Sequence, residues 1–399
     1  MAGEIEATRA QAERMAGVAP FHVCEVLDRA AALEAAGRDV IHMEIGEPDF
    51  PTAAPIREAA TAFLAGGSVR YTSALGLPDL RRAIAERYAR EDGVEVDPER
   101  VIVTAGASAG LFMALAARLD SGDGLLLADP GYPCNRNYAH LLGIDEQSIP
   151  VDATTGYQPT AEAIAAAWRP STRAVLLASP ANPTGTVVSD AELDRIHDVV
   201  AERGGVLIVD EIYRGLVYDS RPMTAAALDG DVVVVNSFSK YEGMTGWRLG
   251  WLVAPAASMR ALEILSQNLY IAASTVAQHA ALAAFEPSTE AIFAERREAF
   301  RRRRDLLVPG LVALGFSVPA VPQGAFYVYA GIDAIADDGE RLCLDLLERA
   351  GVAVTPGIDF GENRATRSVR FAYTTGEERI TEALRRIADH LDGAGGPAE

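Results

Sequence analysis

Val232-Val233-Val234-Val235-Asn236-Ser237-Phe238-Ser239-Lys240, followed by Thr245-Gly246-Trp247-Arg248-Leu249-Gly250, is the stretch on which the fold turns. Its valine run reads as a strand buried on both faces, with a lysine just past its end. Such a lysine is out of place unless its amine is used. Burial favours the neutral amine, and a neutral amine attacks carbonyls. Arg248, in a turn punctuated by glycine, and the nearby hydroxyls make a pocket suited to a phosphate dianion.

Outward from this segment, apolar runs recur at 101–104, 125–128, 146–151, 174–178, 206–209, 232–235 and 250–253. Helix-length segments separate most of them. The pattern predicts an α/β fold with a seven-stranded, mostly parallel sheet and helices on both faces. Residues 21–37 have helical periodicity and end at a glycine, and 40–45 read as a short strand. Beyond Pro255 a helix-rich stretch leads to short strands at 316–318, 325–329, 352–354 and 368–371, an α+β pattern. The run Arg301-Arg302-Arg303-Arg304 falls in a helical stretch and is expected to be a solvated face. The Gly- and Ala-rich tail 392–399 is expected to be disordered.

Composition narrows the function. The formal charge of −20 over 399 residues disfavours nucleic acid. No apolar run approaches the roughly 20 residues that cross a bilayer, and 1–17 have no signal-peptide pattern. Cys24, Cys134 and Cys343 are odd in number and widely spaced, which points to a reducing cytoplasm rather than a disulfide framework. The histidines show no metal spacing, so no metal is expected.

A carbonyl for Lys240 and a phosphate for Arg248 together describe pyridoxal 5′-phosphate, whose aldehyde forms a Schiff base with an enzyme lysine. Asp210 follows the run 206–209 at the carboxyl edge, where a carboxylate pairs with a pyridine nitrogen. Gly106-Ala107-Ser108 joins a strand to a helix whose N-terminus suits a phosphate, with Ser108 as its cap and Ser237, Ser239 and Arg248 as further donors. Arg370 in Ser368-Val369-Arg370-Phe371 matches a carboxylate bidentately, and Gly46 lets the backbone approach that carboxylate.

The motifs occur in a telling order. Gly46-Glu47-Pro48-Asp49-Phe50 and Tyr71-Thr72-Ser73-Ala74-Leu75-Gly76 come first, then Asp129-Pro130-Gly131-Tyr132-Pro133 and Ser179-Pro180-Ala181-Asn182-Pro183-Thr184-Gly185. Val209-Asp210-Glu211-Ile212-Tyr213, the lysine segment and the Arg370 segment complete the series. The series resembles the class I/II aminotransferases of fold type I, over most of the chain. The glycine-containing link between the runs 232–235 and 250–253 is too irregular for a crossover helix, which favours an antiparallel last strand in the large sheet; the resemblance implies the same, with a large domain 46–300 and a small domain built from 1–45 and 301–399. It implies that Tyr132 stacks on the cofactor ring, that Tyr213 and Asn182 bond its phenolic oxygen or the substrate, and that Tyr71 reaches the phosphate of a neighbouring subunit in a homodimer. It further implies ping-pong transfer of an amino group between an amino acid and a 2-oxo acid, with β-elimination by a lyase as the alternative on the same fold. Ser108 replaces a lysine of some dicarboxylate-specific relatives, and the apolar segment 267–271 favours neutral or aromatic donors.

Gly106-Ala107-Ser108-Ala109-Gly110 also matches the nucleophile elbow of serine hydrolases. That reading needs a late histidine, His279 or His390, and leaves Lys240, Asp210, Asn182 and Arg370 unexplained. A cofactor-binding regulator would need an added DNA-binding domain and a basic surface.

Overall fold

The seven apolar runs become one sheet. The computed structural model describes residues 12–394 and contains β1 (Ile41–His42), β2 (Val101–Thr104), β3 (Gly124–Asp129), β4 (Asp145–Pro150), β5 (Thr172–Ala178) and β6 (Val206–Asp210). These are followed by β7 (Val232–Ser237), β8 (Gly250–Val253), β9 (Tyr327–Gly331), β10 (Val352–Ala353), β11 (Thr355–Pro356) and β12 (Ser368–Ala372). The large sheet has the order β2-β8-β7-β6-β5-β3-β4. Only β8 runs against the others, pairing antiparallel with β2 and β7.

Side chains along a strand alternate between faces, and here both faces are covered. Val101, Val103, Val232 and Val234 join one hydrophobic cluster, while Ile102, Val233 and Val235 join the other. This is why the strands read as continuous apolar runs rather than alternating ones. Between β7 and β8 the chain turns about Phe238, which is fully buried and packs on Trp251 at 4.9 Å between ring centroids.

A second, antiparallel sheet has the order β11-β12-β9, and β1 pairs with β10 in parallel beside it. The helix Pro287–Ala313 passes through residue 300 without a break. Two local strand expectations need correction. The expected strand at 325–329 begins instead at Tyr327, because Ala325 takes a left-handed φ of 59°. Residues 316–318 contribute a single bridge, Ser317 to Gly331, and the two-residue strand β11 has no sequence signal.

The arginine run is also not one solvated face. Arg301 and Arg302 pair with Glu298 and Glu377 at the surface, but Arg303 and Arg304 are buried. Arg303 forms a bidentate pair with Asp49 at 2.7 and 2.9 Å and lies over the rings of Phe50 and Phe300. Arg304 donates to the Pro322 carbonyl at 3.0 Å and lies over Tyr218. Each residue turns the helix by about 100°, so four consecutive side chains cannot share one face, and long apolar stems bury readily. Asp392 to Ala394 are helical rather than disordered, as the end of Glu377–Ala394, while the rest of the tail and residues 1–11 lie outside the described residues.

Candidate active site

The carboxyl edge of the parallel strands gathers most of the expected residues. Thr104 at the end of β2 leads to Gly106-Ala107-Ser108, β3 to Tyr132, β5 to Asn182, and β6 ends on Asp210. Lys240 follows β7. Gly46, Ala107, Ser108, Tyr132, Asn182, Asp210, Tyr213, Lys240 and Arg370 all line one cavity of about 340 Å³. The strand order reverses about β3, with β4 on one side and β5 on the other, and such a switch leaves a crevice at the carboxyl edge of an open α/β sheet.

The Lys240 ammonium donates to the Gly46 carbonyl at 2.6 Å. Burial pulls its pKa down to about 8, against the opposing field of Glu47. Asp210 is 5% exposed, and burial raises its pKa to about 7. It accepts one hydrogen bond, from the Ile212 backbone N–H at 3.0 Å. Such a carboxylate has capacity for a cationic partner in the cavity. The Tyr213 hydroxyl pairs with that of Tyr327 at 2.8 Å, and burial holds its pKa well above the usual range.

Arg370 projects from the middle of β12. Its guanidinium lies between the rings of Tyr327 and Phe360, 4.3 and 4.8 Å from their centroids. One end donates to Asn182 Oδ1 at 3.0 Å, and the other donates to the Glu44 carbonyl and to Thr355 Oγ1. The Nε–H is buried and has no partner. A carboxylate in the cavity would supply one. Gly46 serves a different neighbour from the one expected. A Cβ there would lie 2.0 Å from the Tyr327 hydroxyl, so the missing side chain makes room for a tyrosine.

Gly106, Ser237, Ser239 and Arg248 form a cluster beside the Ala107 end of the cavity rather than lining it. Ser237 Oγ donates to Ser239 Oγ at 2.9 Å, and Arg248 reaches the same hydroxyl at 3.5 Å. A Cβ on Gly106 would meet the Arg248 guanidinium at 2.6 Å, so this glycine, at φ 85°, permits the close approach. Gly106 is the N-cap of the helix Ala107–Arg118. Ser108 is therefore inside the first turn and not its cap, contrary to expectation. Together the helix start, two hydroxyls and a guanidinium are a donor set suited to a phosphate. Tyr71 stands apart, 78% exposed.

Sequence reading misses part of the wall. Phe21, Val23, Cys24 and Leu27 cover the cavity from the start of the helix His22–Ala35. Their spacing reads only as an amphipathic face, and the tertiary fold alone turns that face onto the site. This helix lacks a capping side chain of its own, and the buried Asp359 accepts from the His22 and Val23 N–H groups at 2.8 and 3.1 Å. Tyr327 and Phe360 are likewise unmarked in sequence. Of the two candidates for the hydrolase reading, His279 stacks on Phe63, and neither it nor His390 lines the cavity.

The sequence profile described as aminotransferase class I and II matches residues 38–387. The chain belongs to that family. A valine–pyruvate aminotransferase from Mycobacterium tuberculosis is 42% identical over 378 residues, 94% of this chain and 97% of the relative. An aspartate/prephenate aminotransferase from Thermus thermophilus is 36% identical over 392 residues, 97% of this chain and all of the relative. The crystal structure of an aminotransferase from Mycobacterium tuberculosis superposes with a TM-score of 0.93 at 41% identity, covering 97% of this chain and 100% of that one. This aminotransferase therefore moves an amino group between an amino acid and a 2-oxo acid. Among the described residues of the aminotransferase, no helix is long and apolar enough to cross a membrane.

Proposed function

We propose that this aminotransferase uses pyridoxal 5′-phosphate in a ping-pong cycle, with a neutral aliphatic amino acid such as valine as donor and pyruvate as an acceptor. The observation that carries the reading is the meeting of Lys240, Asp210 and Arg370 in one cavity. The residues fit the cofactor. Asp210 has a free oxygen for the ring nitrogen, and the Ala107 helix start with Ser237, Ser239 and Arg248 suits the phosphate. When bound, pyridoxal phosphate supplies an aldehyde to carry the amine and a ring that accepts the electrons released at the substrate Cα.

The chain's own residues do the rest. Lys240, poised near neutrality, takes and returns the proton at the substrate Cα as base and then acid. Asp210 would keep a proton on the ring nitrogen, and Tyr132 would cover the ring face. Tyr213 and Asn182 donate to the cofactor's phenolic oxygen, Asn182 sharing its amide with Arg370. Arg370 grips the α-carboxylate, and movement of a small domain (1–45 and 301–399) against the large one (46–300) closes the site.

Two features support a neutral donor. Lys240 and Arg370 are the cations among the lining residues, and both are engaged. The wall over them is Phe21, Val23, Leu27 and Ile45. Tyr71, with exposed Val69, Leu269 and Ile271 nearby, suits a homodimer in which each subunit lends this tyrosine to the other. Three free cysteines suit a reducing cytoplasm. The test is a single-turnover panel: valine and alanine should bleach the visible band of the loaded enzyme faster than aspartate. Lys240→Ala should lose both turnover and that band. An aspartate half-reaction as fast as valine's would remove the substrate assignment.

A further inference from the structure

Both cations of the site rest on one short segment. From Met43 to Gly46 every carbonyl is taken by a different neighbour. Met43 accepts from the Ala372 N–H at 2.7 Å, and Glu44 accepts from Arg370 and from Thr355 Oγ1 at 2.9 Å. Ile45 accepts from Thr374 Oγ1 at 3.2 Å, and Gly46 from Lys240 at 2.6 Å. Any shift of this segment moves the amine and the guanidinium together.

Outside the cavity, the side chain of Glu44 begins a charge arrangement that is buried at one end and opens to the surface at the other. Glu44 is 0% exposed. One of its oxygens bonds His42 Nδ1 at 2.7 Å, and the other has no hydrogen-bond partner. His42 Nε2 faces Glu34, on the helix His22–Ala35, at 3.2 Å. A ring with a carboxylate at each nitrogen must donate from both, so the imidazole is an imidazolium. Burial alone would lower its pKa, but the Glu44 hydrogen bond outweighs that and raises it to about 9. Glu34 and Glu44 are the charged groups facing it, since the parallel partner β10 brings only Val352 and Ala353. Glu44 thus depends on one cation for its compensation, and a buried carboxylate stripped of that cation is left unpaired, a cost that its strand relieves by moving.

We propose that His42 and Glu44 are positioning residues for substrate binding: their ion pair fixes the 43–46 carbonyls that hold Arg370 on the amino-acid carboxylate. The inference rests on the reading of Arg370 as the carboxylate anchor. The strut also ties the segment through Glu34 to the helix that roofs the cavity.

The experiment measures the Kd of isovalerate, a carboxylate without an amine, on the cofactor-loaded enzyme, alongside KM, kcat and Tm. His42→Gln should weaken isovalerate and raise KM about fivefold or more, and kcat, which depends on the amine held by the same segment, should fall by a smaller factor. His42→Lys, which keeps the charge, should restore most of the affinity. In an Arg370→Lys background, His42→Gln should have almost no further effect on Kd, because the two act through one contact. Glu44→Gln is a second probe, but His42 is the safer one, because it is partly exposed and its loss can be tolerated by the fold. If Arg370→Lys weakens isovalerate while His42→Gln leaves Kd and KM unchanged, or lowers Tm alone, the strut is refuted and the anchor stands. If Arg370→Lys itself leaves Kd unchanged, the anchor reading has failed, and the strut with it.

Discussion

Replacing Arg370 with lysine is the sharpest test of the site, because it keeps the charge and removes the geometry. A charge-assisted hydrogen bond contributes about 1.5–3 kcal/mol, and lysine offers one of the two that a guanidinium fork makes to a carboxylate. The cation lies between Tyr327 and Phe360, which adds about 0.5–2 kcal/mol that a compact ammonium does not keep in full. The substitution also leaves Asn182 Oδ1 and the Glu44 carbonyl short of a donor. The expected loss is about 2–4 kcal/mol, or roughly 30- to 1000-fold in kcat/KM. Most of it should appear in KM, because the carboxylate is held alike in ground and transition states. The assay is steady-state transamination with valine, after confirming by visible absorbance that the variant carries a full complement of cofactor. A kcat/KM within threefold of the parent, at full occupancy, would refute the assignment of Arg370 to the substrate carboxylate.

Other expectations follow from particular contacts. The Lys240 pKa, lowered by burial to about 8, makes cofactor capture by the apoenzyme accelerate with pH and level off above that value; acceleration continuing towards pH 10 would show an ordinary amine. At pH 7 such an amine is about one-tenth neutral, some 300 times more than an unperturbed lysine. Arg303→Ala should cost about 2–4 kcal/mol in denaturant unfolding and Arg301→Ala less than about 0.5, because only the first is buried and paired to Asp49. Equal effects would show that the run behaves as a single surface after all. Asp359→Ala uncaps the helix His22–Ala35 and should lower stability by about 1–2 kcal/mol while raising KM for valine; a stability loss with unchanged KM would detach that helix from the substrate cavity.

The large sheet was legible because a strand covered on both faces has nothing but apolar residues to show, as 232–235 and 206–209 do. Its antiparallel member, β8, was legible from the link before it, whose glycines and lysine make no crossover helix, and from the family resemblance, since its own four buried residues carry no mark of direction. The residues with distinctive chemistry, Asp210, Lys240 and Asn182, were legible because each follows shortly after an apolar run ends. Phe21, Leu27, Tyr327 and Phe360 were not, because an apolar side chain on a cavity wall looks like one in the core. Gly46 shows the limit from the other side. Its position was visible, but the tyrosine hydroxyl that requires it lies 281 residues away in the chain. The arginine run misled because composition hides how a helix distributes four neighbours around its axis.

On the proposed roles of Lys240 and Arg370, the row of carbonyls from Met43 to Gly46 acts as a ruler between the reacting amine and the carboxylate anchor. Its length is common to every amino acid, since all share the same Cα and carboxylate. On the same reading, preference among side chains is written elsewhere, at Phe21, Val23 and Leu27, which can be recut without disturbing the graduations so long as Glu34 is kept.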